Sequence, residues 1–232
     1  AGALAYPGGS LGSMVVTEPG NISYDPHVHG EANYLIQSNG WGHTLNTILE
    51  AGGDWARWRV SATGKGVGDR KTPHYFLTNT GKREGNLALQ VEKDFGLDWD
   101  TELYFSTFNT SIGILRGAHI GNVTDLESAI GREEPFFTRD RFSYQINEPR
   151  QAVSHHLLKL EARHFLEGGT TLQLKYGGQR NRRKEFDVRR GGRSDKPALS
   201  LTQYAHFAEV GLKQTLASYW SLQSGIQFNY ID

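Results

Sequence analysis

The segment from residue 149 to residue 193 constrains the fold most, because apolar and polar residues alternate on both sides of one short turn. Before the turn, residues 158–163 read LKLEAR, and after it, residues 172–177 read LQLKYG. The turn itself is Glu167-Gly168-Gly169. Since successive side chains of a strand point to opposite faces, this pattern predicts two antiparallel strands with one apolar and one polar face.

The same alternation recurs along the rest of the chain, and with the hairpin it predicts about nine strands. The predicted strands cover residues 29–37, 44–50, 56–65, 86–92, 101–110, 158–163, 172–177, 203–213 and 220–230. These runs favour an all-β fold, and so does a composition with 28 glycines and one methionine.

The connections between these strands differ in length at the two ends. The short connections are residues 51–54, 94–98, 167–169 and 217–218. The connections at the other end are residues 38–40, 66–83, 111–148 and 179–198. Three of these last four are long, and short turns on one side with long loops on the other are typical of an outer-membrane β-barrel. The sequence therefore predicts a partial antiparallel transmembrane β-barrel with its short turns in the periplasm.

Aromatic residues support this interpretation. Four of them lie beside the short turns: Trp55, Trp99, Tyr219 and Trp220. Aromatic residues gathered at one end of the strands match the belt expected at a membrane interface.

The longest predicted loop, residues 111–148, contains one helix signal. Thr124-Asp125-Leu126-Glu127 has the spacing of a capping box, and a short amphipathic stretch follows it to Ile130. We therefore expect one short helix in this long extracellular loop.

Composition argues against several other classes of protein. No apolar run approaches the roughly 18 residues that a membrane helix needs. The formal net charge is zero, which argues against a nucleic-acid partner. The chain has no cysteine and so no disulfide framework.

The histidines do not predict a metal site or an enzyme. Adjacent residues of a strand point to opposite faces, so His155 and His156 cannot chelate one metal together. His27 and His29 lack a third ligand. No spacing that involves Ser154, His155 or Asp140 supports a catalytic triad. We expect no catalytic residue, no cofactor and no bound metal.

Many charged residues fall on the predicted polar face of the strands. They are Arg57, Arg59, Lys159, Glu161, Arg163, Lys175, Glu209 and Lys213. Because buried unpaired charge is costly, these side chains need water or partners, which a wet barrel lumen supplies. Two roles stay open for them: they hydrogen-bond a plug inside the lumen, or they pair with one another along a solvated wall.

A basic segment follows the hairpin and is predicted to be a loop. Between residues 180 and 193 there are seven basic residues against Glu185 and Asp187, a balance of 7 − 2 = +5. The candidate ligand-binding residues are Arg180, Arg182, Arg183, Lys184, Arg189 and Arg190. Such a density of positive charge attracts anions. The alternative is that the segment is simply a solvated loop.

Four stretches of the sequence are similar to one known family. They are AGALAYPGGSLGSMVV (1–16), IGILRGAHIGNVTDLESAI (112–130), PRQAVSHHLLKLEA (149–162) and GGQRNRRKEFDVRR (177–190). The chain resembles the TonB-dependent outer-membrane receptors, especially Bacteroidetes members. The first stretch resembles the end of that family's plug domain. The second and third resemble its third extracellular loop and the strand that follows. The fourth resembles the Q-x-N-x-R-K-E-[FY]-D pattern of the next loop.

The resemblance implies both an architecture and a function. Residues 1–28 would be the end of the plug domain and a linker, and residues 29–232 the first part of a barrel that has roughly 22 strands in this family. The energy-coupling box and the remaining strands would lie outside this stretch of chain. The implied function is active uptake of a scarce extracellular ligand, such as a ferric siderophore or a similar iron complex, across the outer membrane of a Gram-negative bacterium.

The resemblance also implies partners: the TonB complex, outer-membrane lipid with lipopolysaccharide, and the transported ligand. Siderophore complexes and lipopolysaccharide phosphates are anions that the basic segment could bind. Two alternatives stay open, namely a passive outer-membrane porin and a soluble extracellular glycan-binding β domain.

Overall fold

The computed structural model describes residues 19–118, 122–189, 193–217 and 219–232. The stretch that resembles the end of a plug domain, residues 1–16, lies outside these described residues, and so does Arg190. In chain order the strands are β1 (His29–Gln37), β2 (Gly42–Gly52), β3 (Arg57–Val67), β4 (Arg70–Lys71), β5 (Phe76–Leu77), β6 (Lys82–Phe95), β7 (Trp99–Gly113), β8 (Thr138–Arg139), β9 (Arg150–Leu166), β10 (Thr170–Phe186), β11 (Leu199–Ala217) and β12 (Trp220–Ile231).

Nine of these strands form one large antiparallel sheet, in the order β1-β2-β3-β6-β7-β9-β10-β11-β12. Each strand pairs with its neighbours in this order, so the sheet is an up-and-down meander. The predicted all-β class and the large antiparallel sheet are thus confirmed. The sheet does not close within the described residues, because β1 and β12 are its two edges. The transmembrane barrel stays a prediction.

The strands next to the long connections extend beyond their predicted ends. The hairpin strands β9 and β10 are each 17 residues long, and they pair from Thr170 opposite Leu166 to Phe186 opposite Arg150. Alternation of apolar and polar residues stops well before these ends, because both faces carry polar side chains there. The backbone ladder nevertheless continues, since each strand supplies hydrogen-bond partners to the next.

This extension corrects the prediction that residues 179–198 form a loop. Arg180, Arg182, Arg183 and Lys184 lie in β10, and the connection to β11 is only residues 187–198. The connections between β3 and β6 and between β7 and β9 likewise shrink to residues 68–81 and 114–149.

The register assigns each strand residue to one of two faces, because directly paired residues of neighbouring strands point to the same side. The apolar face contains, for example, the row Val91, Leu103, Leu160, Tyr176, Ala208 and Phe228. The polar face contains the row Arg57, Glu92, Glu102, Glu161, Lys175, Glu209 and Gln227. The two faces predicted from the alternation are therefore present across the sheet.

The two long connections pack on each other beyond the strand ends. Strands β4, β5 and β8 form a small antiparallel sheet, which joins the connection 68–81 to the connection 114–149. Asn79 is 8% exposed and lies between them. Its side-chain amide donates to the carbonyls of Ile114 (2.9 Å) and Pro149 (2.7 Å), and its side-chain oxygen accepts from the Asn147 N–H (2.7 Å). The loops thus form an ordered body.

The predicted short helix is present as α1 (Val123–Ile130) in the connection 114–149. Its N-cap differs from the predicted capping box. Asn122 is the cap: its side-chain oxygen accepts from the Asp125 N–H (2.9 Å), and its amide donates to the Asp125 carboxylate (2.9 Å). The first N–H groups of a helix need a hydrogen-bond acceptor, and Asn122 supplies it two residues earlier than the predicted cap Thr124 would. Within the described residues, no helix combines the length and the apolar character needed to cross a bilayer.

Candidate functional site

The polar face of the sheet is a network of ion pairs around the first predicted arginines. Arg57 donates to Glu92 (3.0 Å) and to Asp94 (2.7 Å), and Arg59 donates to Glu50 (2.5 Å). These pairs link β2, β3 and β6 across the face. Cross-strand pairs of opposite charge favour this register.

The network continues across the later strands. Lys159 lies 3.3 Å from Glu161 and 3.7 Å from Glu102, and Lys175 lies 3.6 Å from Glu209. Arg163 lies 3.8 Å from Asp100. All eight charged residues that the sequence assigned to the polar face share that face in the register. Seven of the eight are ion-paired, and Lys213 has no such partner among the described residues. Mutual pairing is thus one role that these residues fill.

Two of them also hold the segment before β1 against the sheet. The N-terminal segment, as we call residues 19–28, crosses the polar face. The Arg59 guanidinium donates to the carbonyls of Gly20 (2.7 Å) and Asn21 (3.0 Å), and the Arg57 guanidinium lies 4.3 Å from the centre of the Tyr24 ring. Ile22 is only 2% exposed. Arg57 and Arg59 thus contact a chain segment that lies on the polar face, and the predicted role of hydrogen-bonding a plug stays a prediction.

A glycine makes this close approach possible. The backbone N–H of Gly52 donates to the Asp25 carbonyl (2.6 Å). A Cβ atom at residue 52 would lie 2.4 Å from the Ser23 carbonyl oxygen and 2.6 Å from the Tyr24 Cα. Sequence reasoning saw only a turn glycine here, because the contact with the N-terminal segment is visible only in the folded chain.

A charged cavity of about 250 Å³ lies beside the N-terminal segment on the polar face. Its lining includes Asn21, Tyr24, Arg57, Glu102, Glu161 and Arg163. Both signs of charge line it, so the cavity suits water and polar groups rather than an apolar ligand.

The basic residues of β10 do not all lie on one face of the sheet. Arg180, Arg182 and Lys184 pair directly with His156, Ser154 and Ala152, which places them on the apolar face. Arg183 points to the polar face and pairs with the Glu185 carboxylate. Arg189 is exposed in the following connection. The prediction that these residues lie in a loop is therefore wrong for Arg180, Arg182, Arg183 and Lys184, and the strand sends them to opposite faces. Binding of a ligand by any of these residues stays a prediction.

The apolar face is largely exposed. Ile226 is 79% exposed, Phe228 60% and Val210 50%. Leu87 and Phe95 lie on this face of β6, roughly 27 Å apart along the strand at about 3.4 Å per residue. Lys93 lies between them on the same face, and the row of Leu87 also contains Thr107, His156 and Arg180. A strand tilt of about 40° would reduce this height to roughly 20 Å, close to the ~25 Å apolar band of membrane barrels.

Aromatic residues cluster at the short-turn end of the same sheet. Trp99, the first residue of β7, stacks on the His164 ring with a centroid distance of 4.2 Å. The Lys93 ammonium lies 4.2 Å from the centre of the Trp55 ring. Tyr219 is 97% exposed beside the last turn.

Acidic residues are absent from the apolar face of the nine long strands. Every acidic residue in these strands belongs to the polar face: Glu31, Glu50, Glu84, Glu92, Asp94, Asp100, Glu102, Glu161, Glu185 and Glu209. The residues on the apolar face are apolar, neutral polar or basic. The alternation of the sequence could have revealed this segregation in the middle of the strands. At the strand ends, the assignment of residues to faces requires the register that the structure gives.

One buried carboxyl lies outside the strands. Asp69 is 1% exposed, between β3 and β4, and it accepts the Thr80 N–H at 3.3 Å. Burial raises the pKa of Asp69 above its usual value, although the backbone N–H groups of Thr80 and Asn79 oppose the shift. This carboxyl stabilises the turn of the connection 68–81 and does not face the charged cavity.

The register places His155 and His156 on opposite faces, as the alternation predicts. His29 hydrogen-bonds Glu50 at 3.1 Å. Across the described ranges no group of three potential metal ligands comes together.

Comparison of the chain with protein-family models, with curated proteins and with solved structures gives no match in any of the three. The resemblance to TonB-dependent receptors therefore depends on the four quoted sequence stretches.

Proposed function

We propose that this chain forms part of the wall of a TonB-dependent transporter in the outer membrane of a Gram-negative bacterium. In this proposal the apolar face contacts lipid and the polar face lines the lumen. The cargo is a scarce extracellular ligand, most simply a ferric siderophore or a similar iron complex, and the TonB complex supplies the energy.

The observation that supports this proposal most is the complete separation of acidic residues from the apolar face. A carboxylate in contact with lipid hydrocarbon is costly, whereas a sheet with water on both sides has no reason to confine carboxylates to one face. The exposed leucine, isoleucine and phenylalanine side chains of the same face add to this argument.

The single sheet favours a membrane wall over the soluble alternative. A soluble β-sandwich buries its apolar face against a second sheet. In the part of the chain that the structure describes, the nine long strands form one sheet and their apolar face is uncovered. The edges β1 and β12 would need further strands as partners, because every backbone group in lipid requires a hydrogen bond.

The N-terminal segment favours a plugged transporter over an open porin. It lies on the polar face and is held by Arg57, Arg59 and the Gly52 N–H. In a closed barrel, a segment held in this position would lie inside the lumen, which is where a plug domain belongs. The choice of an iron complex as cargo comes from the family resemblance alone.

Uptake by living cells tests the proposal. Cells with and without the gene are given ferric complexes of a catecholate, a hydroxamate and citrate, each labelled with radioactive iron, under iron limitation. We expect the gene to raise uptake of at least one complex, and we expect a protonophore or loss of TonB to abolish that increase.

Two results would contradict the proposal. Uptake that persists without TonB and without a proton gradient would indicate a passive porin. Recovery of the protein as a soluble extracellular species, with no need for detergent, would indicate the glycan-binding alternative.

A further inference from the structure

We propose that Ser154 and His156 of β9 form a hydrolytic site for carboxylic esters of long acyl chains, with Ser154 as the nucleophile and His156 as the general base. This activity goes beyond the proposed uptake function. It rests on that function in one respect only, namely that the apolar face contacts lipid, which supplies such esters. The sequence-based expectation of no catalytic residue considered Ser154 with the adjacent His155, which lies on the other face.

Alternation along β9 brings the two side chains together, because residues two positions apart in a strand share a face. The Ser154 Oγ lies 3.0 Å from the His156 Nε2, which is hydrogen-bonding distance. The Ser154 hydroxyl also donates to the Asn109 Oδ1 of the neighbouring strand β7 at 2.8 Å. A hydroxyl nucleophile and an imidazole base within hydrogen-bonding reach are the two groups that start covalent catalysis of ester hydrolysis.

Two arginines flank this pair on the same face. Arg182 pairs directly with Ser154 across β9 and β10, and Arg180 pairs directly with His156. The Cβ atoms of directly paired residues lie about 5 Å apart, so the long Arg182 side chain can reach an atom bonded to the Ser154 Oγ. Every carboxylate of the nine long strands lies on the opposite face, so none of them competes for this charge. A cation beside the carbonyl oxygen of an attacked ester stabilises the negative charge that develops on that oxygen.

A shallow groove of about 470 Å³ reaches the Ser154 hydroxyl from outside the sheet. Ser154, Asn109 and Arg182 are among its lining residues. The nucleophile and the proposed partner of the oxyanion therefore border the same space. An ester carbonyl in this groove would contact both.

An apolar row next to the site favours a long acyl chain as part of the substrate. Leu158 follows His156 on the same face, and it shares its row with Phe105 and Leu89. Leu158 is four residues from Ser154, roughly 13 Å along the strand. A long acyl chain whose carbonyl lies at Ser154 can reach this row, whereas an acetyl group cannot.

The reaction consumes one ester and one water molecule and needs no other reactant. The Ser154 hydroxyl first turns from Asn109 to the His156 Nε2, and the ring proton of His156 is then on Nδ1. The Ser154 Oγ bonds to the ester carbonyl carbon as its proton passes to Nε2. The bond from that carbon to the alcohol oxygen breaks, and the alcohol takes this proton. Water then attacks the acyl group on Ser154 in the same way, which releases the carboxylic acid and restores the hydroxyl.

Covalent labelling tests the nucleophile. The intact protein is purified in mild detergent and treated with a fluorophosphonate probe, which bonds to activated serines, and peptide mass spectrometry identifies the labelled residue. We expect labelling at Ser154, its loss in Ser154→Ala and a roughly hundredfold slower reaction in His156→Gln. Ser111→Ala is the matched control and should label normally. Ser111 lies in the next row of the same face, and no described histidine is hydrogen-bonded to it.

Hydrolysis of p-nitrophenyl palmitate and p-nitrophenyl acetate by the same preparation tests the activity and the substrate. We expect a higher kcat/KM for the palmitate ester, because only its chain reaches the apolar row. Ser154→Ala should remove the enzymatic rate for both esters. His155→Gln should leave both rates unchanged, because its side chain lies on the other face.

Three outcomes would overturn the inference. Absence of labelling at Ser154 in the wild type would show that its hydroxyl is not activated. Equal labelling rates in the wild type and His156→Gln would show that the histidine is not the base. A faster reaction with the acetate ester would contradict the long acyl chain. Failure of the wild-type protein to associate with phosphatidylcholine vesicles would instead count against the proposed function, so the two failures are distinguishable.

Discussion

Asn79 shows how much of the loop structure depends on single residues. Its backbone φ of 60° is in the left-handed region, which asparagine tolerates better than most residues. Its side chain bonds three backbone groups of the connection 114–149. In the sequence, Asn79-Thr80-Gly81 indicates only a turn, because its bonding partners lie 35 to 70 positions away.

We predict that Asn79→Ala loosens the loop body. Each buried polar group left without a partner costs about 1–3 kcal/mol, so the loop body should lose roughly 3 kcal/mol or more of local stability. Hydrogen exchange of the amides of residues 142–148 measures this loss. Asn79→Gly, which relieves the backbone strain but also removes the hydrogen bonds, should recover only about 1 kcal/mol. Full protection in Asn79→Ala would show that the side chain does not hold the loops together.

Strand β10 shows why a charged segment can be misread as a loop. The residues 180–185, RNRRKE, contain no apolar side chain, so the apolar periodicity that predicts a strand disappears. The strand continues because β9 and β11 pair with it on both sides, as far as Glu185 opposite Leu199. The alternation of faces continues too, and it divides the basic residues between the apolar face and the polar face.

At the level of the strand, neighbouring residues of β12 test the assignment of the faces. Ile226 lies on the apolar face, and Gln227 lies on the polar face, where it donates to Glu209 at 2.6 Å. We predict that Ile226→Arg destabilises the protein folded in phosphatidylcholine vesicles by about 2–4 kcal/mol, as an arginine facing the bilayer midplane does.

Gln227→Arg is the matched control, because its new charge can pair with Glu209 in a wet lumen. Urea titrations of both variants in vesicles give the comparison. In a sheet with water on both sides, both substitutions would change stability by less than about 0.5 kcal/mol. Equal, small effects would therefore contradict the membrane assignment.

At the scale of the whole molecule, one long-range contact joins the N-terminal segment to the polar face. Arg57 and Arg59 contact this segment and also belong to the network of ion pairs, so the same two side chains contact both the sheet and the segment. The predicted boundary between the end of the plug and the barrel, at residue 28, lies directly before β1, which begins at His29. Whether residues 1–28 act as part of a plug stays a prediction.

We predict that Arg59→Gln frees the N-terminal segment from the sheet. The substitution removes two hydrogen bonds to backbone carbonyls, at 2.7 and 3.0 Å. These exposed bonds contribute roughly 1–3 kcal/mol together, so exchange of the amides of residues 20–25 should accelerate roughly 5- to 150-fold. Arg163→Gln is the control, since Arg163 shares the polar face and its ion pair is with Asp100. Equal acceleration in both variants would indicate a general loss of charge balance.

A pair of adjacent glycines checks the same contact without any change of charge. Gly52→Ala would place a methyl group within 2.4 Å of the Ser23 carbonyl, whereas Gly53→Ala would meet only the Ala56 carbonyl at 3.5 Å. Only the first substitution should therefore accelerate exchange in residues 20–25. Normal protection in Gly52→Ala would contradict the observed position of the segment.

The sequence alone determined which residues share a face in the middle of each strand, because alternation is a local property that needs no partner. It therefore predicted the nine strands, the short helix and the eight charged residues of the polar face. Only the tertiary structure decided where the strands end, where the basic residues of β10 point and which face the N-terminal segment covers. The physical reason is that these features depend on hydrogen bonds between residues distant in the chain, such as Arg59 with Gly20 or β10 with both of its neighbours. Local periodicity contains no information about such partners.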